Sequence, residues 1–379
     1  MERTLNTTIR NSVTKILPIV TAAALLGHAG TVNARVMVAV PSAQPTVEVV
    51  FVLDTTGSMS GLIDGAKRRI WGIANHIVSG KPTPNVRIGL VGYRDIGDDY
   101  VVKHHPLHSD LDAVYASLSR FHAAGGGDFP EHVNRALHEA VYTTQWSKNS
   151  MKMIFLVGDA PPHTDYQDGF DYHKIAKHAA SQNIVIHTIR CGGNAATAQF
   201  WQQIAAASNG SFTSIQQSGG VVAVATPYDD RLATLSRDLN QTAVIYGNRK
   251  DHDRVAKKYR AQKSAPAAPL ADRSSYYAKS GAKLDRADIV SEVASGSLGV
   301  DKLETNRLPA AMRKMSKSQR KTYLKKQHAK RKKLLKEIQA LTKKRDAYLR
   351  SQAKRTKGGF DQVVQSAITE QAKRHKLRY

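Results

Sequence analysis

The sequence predicts a doubly wound α/β fold with a mostly parallel sheet, followed by a basic α-helical tail. Short apolar runs alternate with amphipathic helical segments across residues 47–247, the pattern of strands and helices in a parallel sheet covered on both faces. Three loops rich in oxygen side chains fall at one edge of that alternation. Charge then divides the chain: of 56 Lys+Arg and 31 Asp+Glu, about 34 and about 12 lie from residue 251 onward, so nearly all of the net +25 sits in the last third.

Residues 47–53 (VEVVFVL) are a continuous apolar run ending in a polar turn, as a strand buried on both faces requires. Residues 61–77 place Leu62, Ala66, Ile70, Ile73 and Ile77 on one helical face. Residues 86–93 read as a second strand and 100–104 as an edge strand pairing back on it. Helices follow over 111–121 and 131–142, the latter opened by Pro130 in its first turn. The remaining order is a strand at 151–157, a helix at 172–182, a strand at 184–189, a helix at 200–208, a strand at 211–215 and a closing helix over 229–246. Ligands of such sheets bind outside the carboxyl ends of the strands, near the point where strand order reverses.

Outside this region the composition changes. Arg3, Arg10 and Lys15 precede an apolar stretch at 16–26, and Val32-Asn33-Ala34 offers a cleavage site before Arg35. Residues 1–34 are therefore expected to be a signal peptide, 35–46 a short lead-in, and the mature chain periplasmic, cell-surface-associated or secreted. Cys191, the sole cysteine, excludes an intramolecular disulfide and reads as a buried structural thiol. Residues 248–271, charged up to 260 and then carrying Ser264-Ala265-Pro266-Ala267-Ala268-Pro269, read as a linker, 272–308 as a small helical segment, and 309–379 as a basic helical hairpin or weak coiled coil.

In that tail Leu324, Leu334, Ile338, Leu341 and Tyr348 partly follow 4,3 spacing, interrupted by Gln327, Arg331 and Arg345. Gly358-Gly359 stops the long helix, and residues 360–376 form an amphipathic segment able to fold back on it. Lys325, Lys326, Lys330, Arg331, Lys332, Lys333, Lys343, Lys344 and Arg345 are the expected polyanion-binding residues. Aromatics for base stacking are sparse and no nucleic-acid motif appears, so an anionic envelope lipid or polymer is preferred to nucleic acid.

The three loops carry the chemistry. They are Asp54-Thr55-Thr56-Gly57-Ser58, Gly125-Gly126-Gly127-Asp128-Phe129-Pro130-Glu131, and Gly158-Asp159-Ala160-Pro161-Pro162-His163. A carboxylate followed two and four residues later by hydroxyls can aim all three at one centre, a donor set that suits Mg²⁺ or Mn²⁺. Asp54-x-Thr56-x-Ser58 resembles the metal-ion-dependent adhesion site of von Willebrand factor A (VWA) domains, and Asp159 matches that site's distal aspartate. The resemblance implies direct coordination by Thr56 and Ser58, with Asp54 and Asp159 acting directly or through water. It also implies a protein-binding role, in which a partner's carboxylate completes the ion's shell, and no enzymatic activity. In this register Gly127 stands where the family has a threonine, beside Asp128. Similar GGGDxPE loops occur in a bacterial and alpha-kinase-associated branch of the family. Asp128 is either a further metal contact or a helix-capping aspartate, and Glu131 reads as a first-turn carboxylate. His163 is a candidate for contact with the partner or a surface histidine.

Two rival readings fit parts of the sequence. Asp54-Thr55-Thr56-Gly57-Ser58 also looks like the nucleophile loop of haloacid-dehalogenase-type phosphatases, with Asp54 attacking phosphorus. Thr56, however, stands where that class needs its acid. A nucleic-acid binder acting through the tail is the other. His104, His105 and His108 next to Asp110 invite zinc but lack a matching distal pair, and Tyr142 breaks the HExxH that His138-Glu139 begins.

Overall fold

Six strands form one sheet: β1 (Thr46–Asp54), β2 (Asn85–Tyr93), β3 (Val102–His108), β4 (Ser150–Gly158), β5 (Ile184–Cys191) and β6 (Phe212–Ile215). Their spatial order is β3-β2-β1-β4-β5-β6, parallel throughout except for β3, which pairs antiparallel on β2. The computed structural model describes residues 44–219, 224–352 and 359–379. The expected signal peptide and its cleavage site lie outside those residues, as do most of the lead-in and Gly358. The chain lays β2 and β3 on one side of β1 and β4, β5 and β6 on the other, so strand order reverses between β1 and β4. β1 and β4 are buried almost end to end because helices cover both faces, which is why their sequences are apolar without alternation.

On one face lie α1 (Ser60–Val78), α2 (Leu111–Leu118) and α6 (Asp229–Asn240), packed on Phe51, Leu53, Phe155 and Val157. On the other lie α3 (Val133–His138), α4 (Tyr172–Ser181) and α5 (Ala195–Ala207), packed on Val50, Val52, Ile154 and Leu156. Cys191 is buried in the first of these layers, and burial pushes its thiol up.

Two local expectations are corrected. The edge strand expected at 100–104 runs on to His108, so His104, His105 and His108 all belong to β3, and each has a separate neighbour: Glu139, Ser117 and the amide of Asp110. The helix expected from Glu131 starts at Val133, capped by the His132 ring, and continues as a π-helical turn over Glu139–Thr143. Pro130 therefore precedes the helix, and Asp128 does not cap it.

The basic third of the chain is built into the same compact unit. The stretch expected as a linker contains α7 (Arg249–Lys263) and the start of α8 (Ala267–Ser280). Its small residues, read as flexibility, let α8 lie close against α1 and α6, with Pro269 to Tyr277 continuously buried. Pro266 stands at the N-cap of α8, where a missing N–H costs nothing. Tyr276 and Tyr277 set their rings 5.7 and 6.3 Å from Trp71 of α1. Arg273, fully buried, grips Asp112 of α2 with two hydrogen bonds of 2.6 and 2.7 Å.

After α9 (Val290–Ser295) and α10 (Ala310–Arg313) comes the long α11 (Lys317–Gln352), then α12 (Phe360–Ala372). α12 packs on α1 and the sheet instead of pairing with α11 as a hairpin. Its Phe360 ring lies 6.0 Å from that of Phe51, and Val364 and Ile368 are fully buried. The buried residues of α11 are Arg320, Leu324, Arg331, Ile338, Thr342 and Arg345, and among them Leu324, Arg331, Ile338 and Arg345 recur every seven residues. Arg331 reaches Asp288 at 2.7 Å and the carbonyl of Thr242 at 3.0 Å. Arg345 reaches Asp229 at 2.6 Å and Asp272 at 2.5 Å. These two arginines are thus structural ion-pair partners and are withdrawn from the polyanion-binding set. Lys325, Lys326, Lys330, Lys332, Lys333, Lys343 and Lys344 remain exposed on the outer side of the helix. No helix among the described residues is long and apolar enough to cross a membrane.

Candidate metal centre

The carboxyl ends of β1 and β4, where strand order reverses, carry Asp54 and Asp159. Asp54 is the last residue of β1 and is fully buried. The turn that follows folds onto it: the amide of Thr56 donates to Asp54 Oδ1 at 2.8 Å and the Thr56 hydroxyl at 2.6 Å. Ser58 Oγ lies 3.4 Å from Thr56 Oγ1, so both hydroxyls share one side of the turn. Thr55 points the other way, donating its hydroxyl to the Tyr93 carbonyl at 2.8 Å and anchoring the turn to β2. Arg94, almost wholly buried, holds the turn from behind by donating to the carbonyls of Thr55 and His122.

The glycine loop closes over this turn. Gly57 N donates to the Gly125 carbonyl at 3.2 Å, and Gly126 N donates to the Asp98 carboxylate at 3.2 Å. Gly125 has φ +77°, and a Cβ there would stand 1.9 Å from Asp98 Oδ1, so any other residue would be strained and would push the Asp98 carboxylate away from Gly126 N. Gly127, at the expected threonine position, has nothing within 4 Å of where a Cβ would stand. The loop instead delivers Glu131. Its amide donates to the Pro161 carbonyl at 3.0 Å, tying the loop to the one after β4, and its side chain is buried.

The centre is short of positive charge. Asp54 Oδ2, Glu131 Oε2 and the Tyr93 hydroxyl are all buried without a hydrogen-bond partner. Burial, with the neighbouring charge of Asp159, raises the Asp54 carboxyl to about 7. Burial, with the charges of Asp54, Asp95, Asp98 and Asp159, raises Glu131 to about 9. Burial, with the charges of Asp54, Glu131 and Asp159, pushes the Tyr93 phenol well above its ordinary value. Asp159 Oδ2 accepts from Gln217 Nε2 at 2.5 Å, and the Thr197 hydroxyl holds the Asp159 carbonyl at 2.8 Å. An orphaned carboxylate oxygen, two hydroxyls and a second carboxylate form an all-oxygen donor set that fits a hard divalent cation.

Of the expected site residues, Asp54, Thr56, Ser58 and Asp159 come together here. Asp128 is largely exposed and its Oδ2 instead faces His163 Nε2 at 3.8 Å. His163 is not a surface residue: it is 4 % exposed, stacked on Tyr166 at 3.9 Å. Glu131 and Gln217 were missed as members. The carboxylate type of Glu131 was visible in sequence, but its burial follows from the bridge to Pro162, which no local pattern announces.

Residues 48–226 match the model of the von Willebrand factor A domain. This chain carries a domain of that family, which is a metal-dependent protein-interaction module and in general not an enzyme. The human von Willebrand factor A domain-containing protein 7 is 37% identical over 121 residues, 31% of this chain and 12% of that protein. The alpha-protein kinase vwkA of Dictyostelium discoideum is 26% identical over 136 residues, 35% of this chain and 21% of the kinase. The chain thus spans only a small part of the curated relatives it matches. Among solved structures, proximal thread matrix protein 1 from the mussel byssus, in a form with a zinc-occupied MIDAS motif, is 14% identical. That match covers 46% of this chain and 42% of the byssus protein, with a TM-score of 0.35.

Proposed function

We propose that this protein is an exported adhesion or scaffold module in which Asp54, Thr56, Ser58 and Asp159 hold Mg²⁺ or Mn²⁺ and a partner protein supplies a carboxylate to the ion. The observation that carries the reading is Asp54 Oδ2, buried and without a donor, beside two hydroxyls and Asp159. Asp54 and Thr56 orient one another through their hydrogen bonds, and Arg94 and the glycine loop keep the turn rigid. The bound ion would supply Lewis acidity toward the partner's oxygen. Two large apolar side chains, Ile96 and Phe129, are 57% and 50% exposed on loops adjoining this edge, as anchors for a protein surface should be. The interaction reading is also favoured over phosphoryl chemistry by the residue at position 56. Phosphoryl transfer of the haloacid-dehalogenase class needs an acid two residues after the nucleophile, and here Thr56 stands there with its hydroxyl donating to Asp54 Oδ1 at 2.6 Å.

Calorimetric titration of the full chain with Mg²⁺ and Mn²⁺ tests the reading, with Thr56→Ala as control. Binding in the parent, weakened at least about tenfold in the variant, is the expected result. Absence of binding at millimolar metal, or turnover of a phosphate ester that needs Asp54, would sink it. The exposed lysines of α11 extend the proposal to an anionic envelope lipid or polymer. Co-sedimentation with anionic vesicles should fall steeply with salt and with Lys332, Lys333, Lys343 and Lys344 changed to Gln. Equal binding by that variant removes the tail from the reading. Export itself predicts a secreted chain beginning at Arg35, which N-terminal sequencing checks.

A further inference from the structure

A second group of ligand-type side chains lies beside the first centre and shares none of its four donors. Asp95, Asp128 and His163 each present one atom to a common point, all within 4.8 Å of one another. His163 Nε2 is 3.2 Å from Asp95 Oδ2 and 3.8 Å from Asp128 Oδ2. The other ring nitrogen, Nδ1, is 2.8 Å from Asp165 Oδ1. A carboxylate can only accept, so Nδ1 carries a proton, and Nε2 is left to face two further carboxylates. Its contact with Asp95 lacks hydrogen-bond geometry: Nε2 is buried without a partner, and so is Asp95 Oδ1.

We propose that Asp95, Asp128 and His163 Nε2 form a second divalent-cation site, selective for an imidazole-accepting ion such as Zn²⁺. Three observations carry it. Nε2 and the two carboxylates make a mixed nitrogen and oxygen set, which suits first-row transition ions and disfavours Mg²⁺. Ligands on a tetrahedral Zn²⁺ stand about 3.4 Å apart given bonds of about 2.0–2.1 Å. The Nε2 distances bracket that value, and Asp128, 64% exposed, is free to close the remaining gap. Asp165 on Nδ1 fixes the tautomer and aims the lone pair inward, as second-shell carboxylates do for ligating histidines. The rest of the pocket is prepared. Tyr166 stacks on the imidazole and donates to Asp95 Oδ2 at 2.7 Å, while Asn134 Nδ2 donates to the His163 carbonyl at 2.7 Å. The exposed side at Asp128 leaves a fourth position open to water or a ligand.

The test uses the full chain stripped of metal and titrated with Zn²⁺ and with Co²⁺, the first centre being saturated with millimolar Mg²⁺. One Zn²⁺ per chain is expected, with a Co²⁺ visible spectrum of low-coordinate nitrogen and oxygen ligation and a shifted His163 ring resonance. Asp128→Asn and His163→Gln should each weaken Zn²⁺ at least about tenfold, and Asp165→Asn about 10–100-fold. Asp54→Asn should leave it unchanged. Asp128 is exposed, so its variant decides the matter even if His163→Gln does not fold. Unchanged Zn²⁺ binding in Asp128→Asn, or its loss in Asp54→Asn, overturns the proposal. A chain that takes Zn²⁺ in this way but shows no Mg²⁺ binding keeps the second site and refutes the first.

Discussion

Replacing Arg345 with methionine is expected to lower folding stability by about 3–5 kcal/mol, read as a shift of the urea midpoint at pH 7. The guanidinium lies buried between Asp229 at the head of α6 and Asp272 in α8, and neither carboxylate has access to enough water to stand alone. Burial already pushes the Asp272 carboxyl up even with Arg345 beside it, so the pair itself is no large source of stability. The loss comes from stranding two buried charges once the arginine is gone. It follows that Arg345→Met combined with Asp229→Asn and Asp272→Asn should recover most of the deficit. A single-variant loss under 1 kcal/mol would mean that α11 is held by its apolar contacts alone.

The second large effect is a pH dependence set by the metal centre. In the unfolded chain Asp54 and Glu131 release their protons near 3.8 and 4.5, whereas in the folded chain they hold them to about 7 and about 9. Between those limits the native state binds more protons, so the contribution of these two groups to stability is fullest below about pH 4 and is lost as pH rises through 7 and 9. For Asp54 the full shift corresponds to about 4 kcal/mol at most. Asp112 and Asp285 act in the opposite sense. Against the cost of burial, Arg273 and Lys258 hold Asp112 down, and Arg254 and Lys258 hold Asp285 down, so their contribution fades only in acid. A divalent cation reverses the slope, because it competes with the protons on Asp54. Urea midpoints between pH 5 and 9 should therefore fall without metal and flatten or rise with about 5 mM Mg²⁺. Asp54→Asn should remove both the lower part of the decline and the response to metal, with at least about a 100-fold loss of affinity. A metal-free profile that is flat from pH 5 to 9 would show that these carboxyls are not held protonated by the fold.

The sheet was legible because its signals are local. The runs at β1 and β4 are apolar end to end, and the polar turn after each marks a strand's carboxyl edge. Asp54, Thr56, Ser58 and Asp159 came with them, since their spacing on those turns already places them together. What escaped was non-local. Glu131 read as a first-turn carboxylate because Pro130 suggested a helix start, and only the pairing with Pro162 turns it inward. Arg331 and Arg345 read as interruptions of an apolar seam, yet they occupy that seam at its seven-residue spacing. Their acidic partners, Asp288, Asp229 and Asp272, sit in segments that local patterning had assigned to other units. The composition of residues 248–271 misled for a related reason: small side chains mark a flexible linker in solvent and a close-packed helix in a core.

The position of α12 has a consequence for how the protein is made. The family's matched region ends at Thr226, but the apolar layer over β1 and α1 is completed by Phe360, Val364 and Ile368. At about 5–20 residues per second, a ribosome takes roughly 7–27 s to travel from Thr226 to Phe360. During that interval the nascent chain carries a nearly finished sheet whose Phe51 face is covered by α1, α2 and α6 but lacks Phe360, Val364 and Ile368. Stalled nascent chains ending at Gly247 should accordingly be cut within α1 by low protease, where the completed protein resists. Equal resistance would mean that the first 247 residues close their own core.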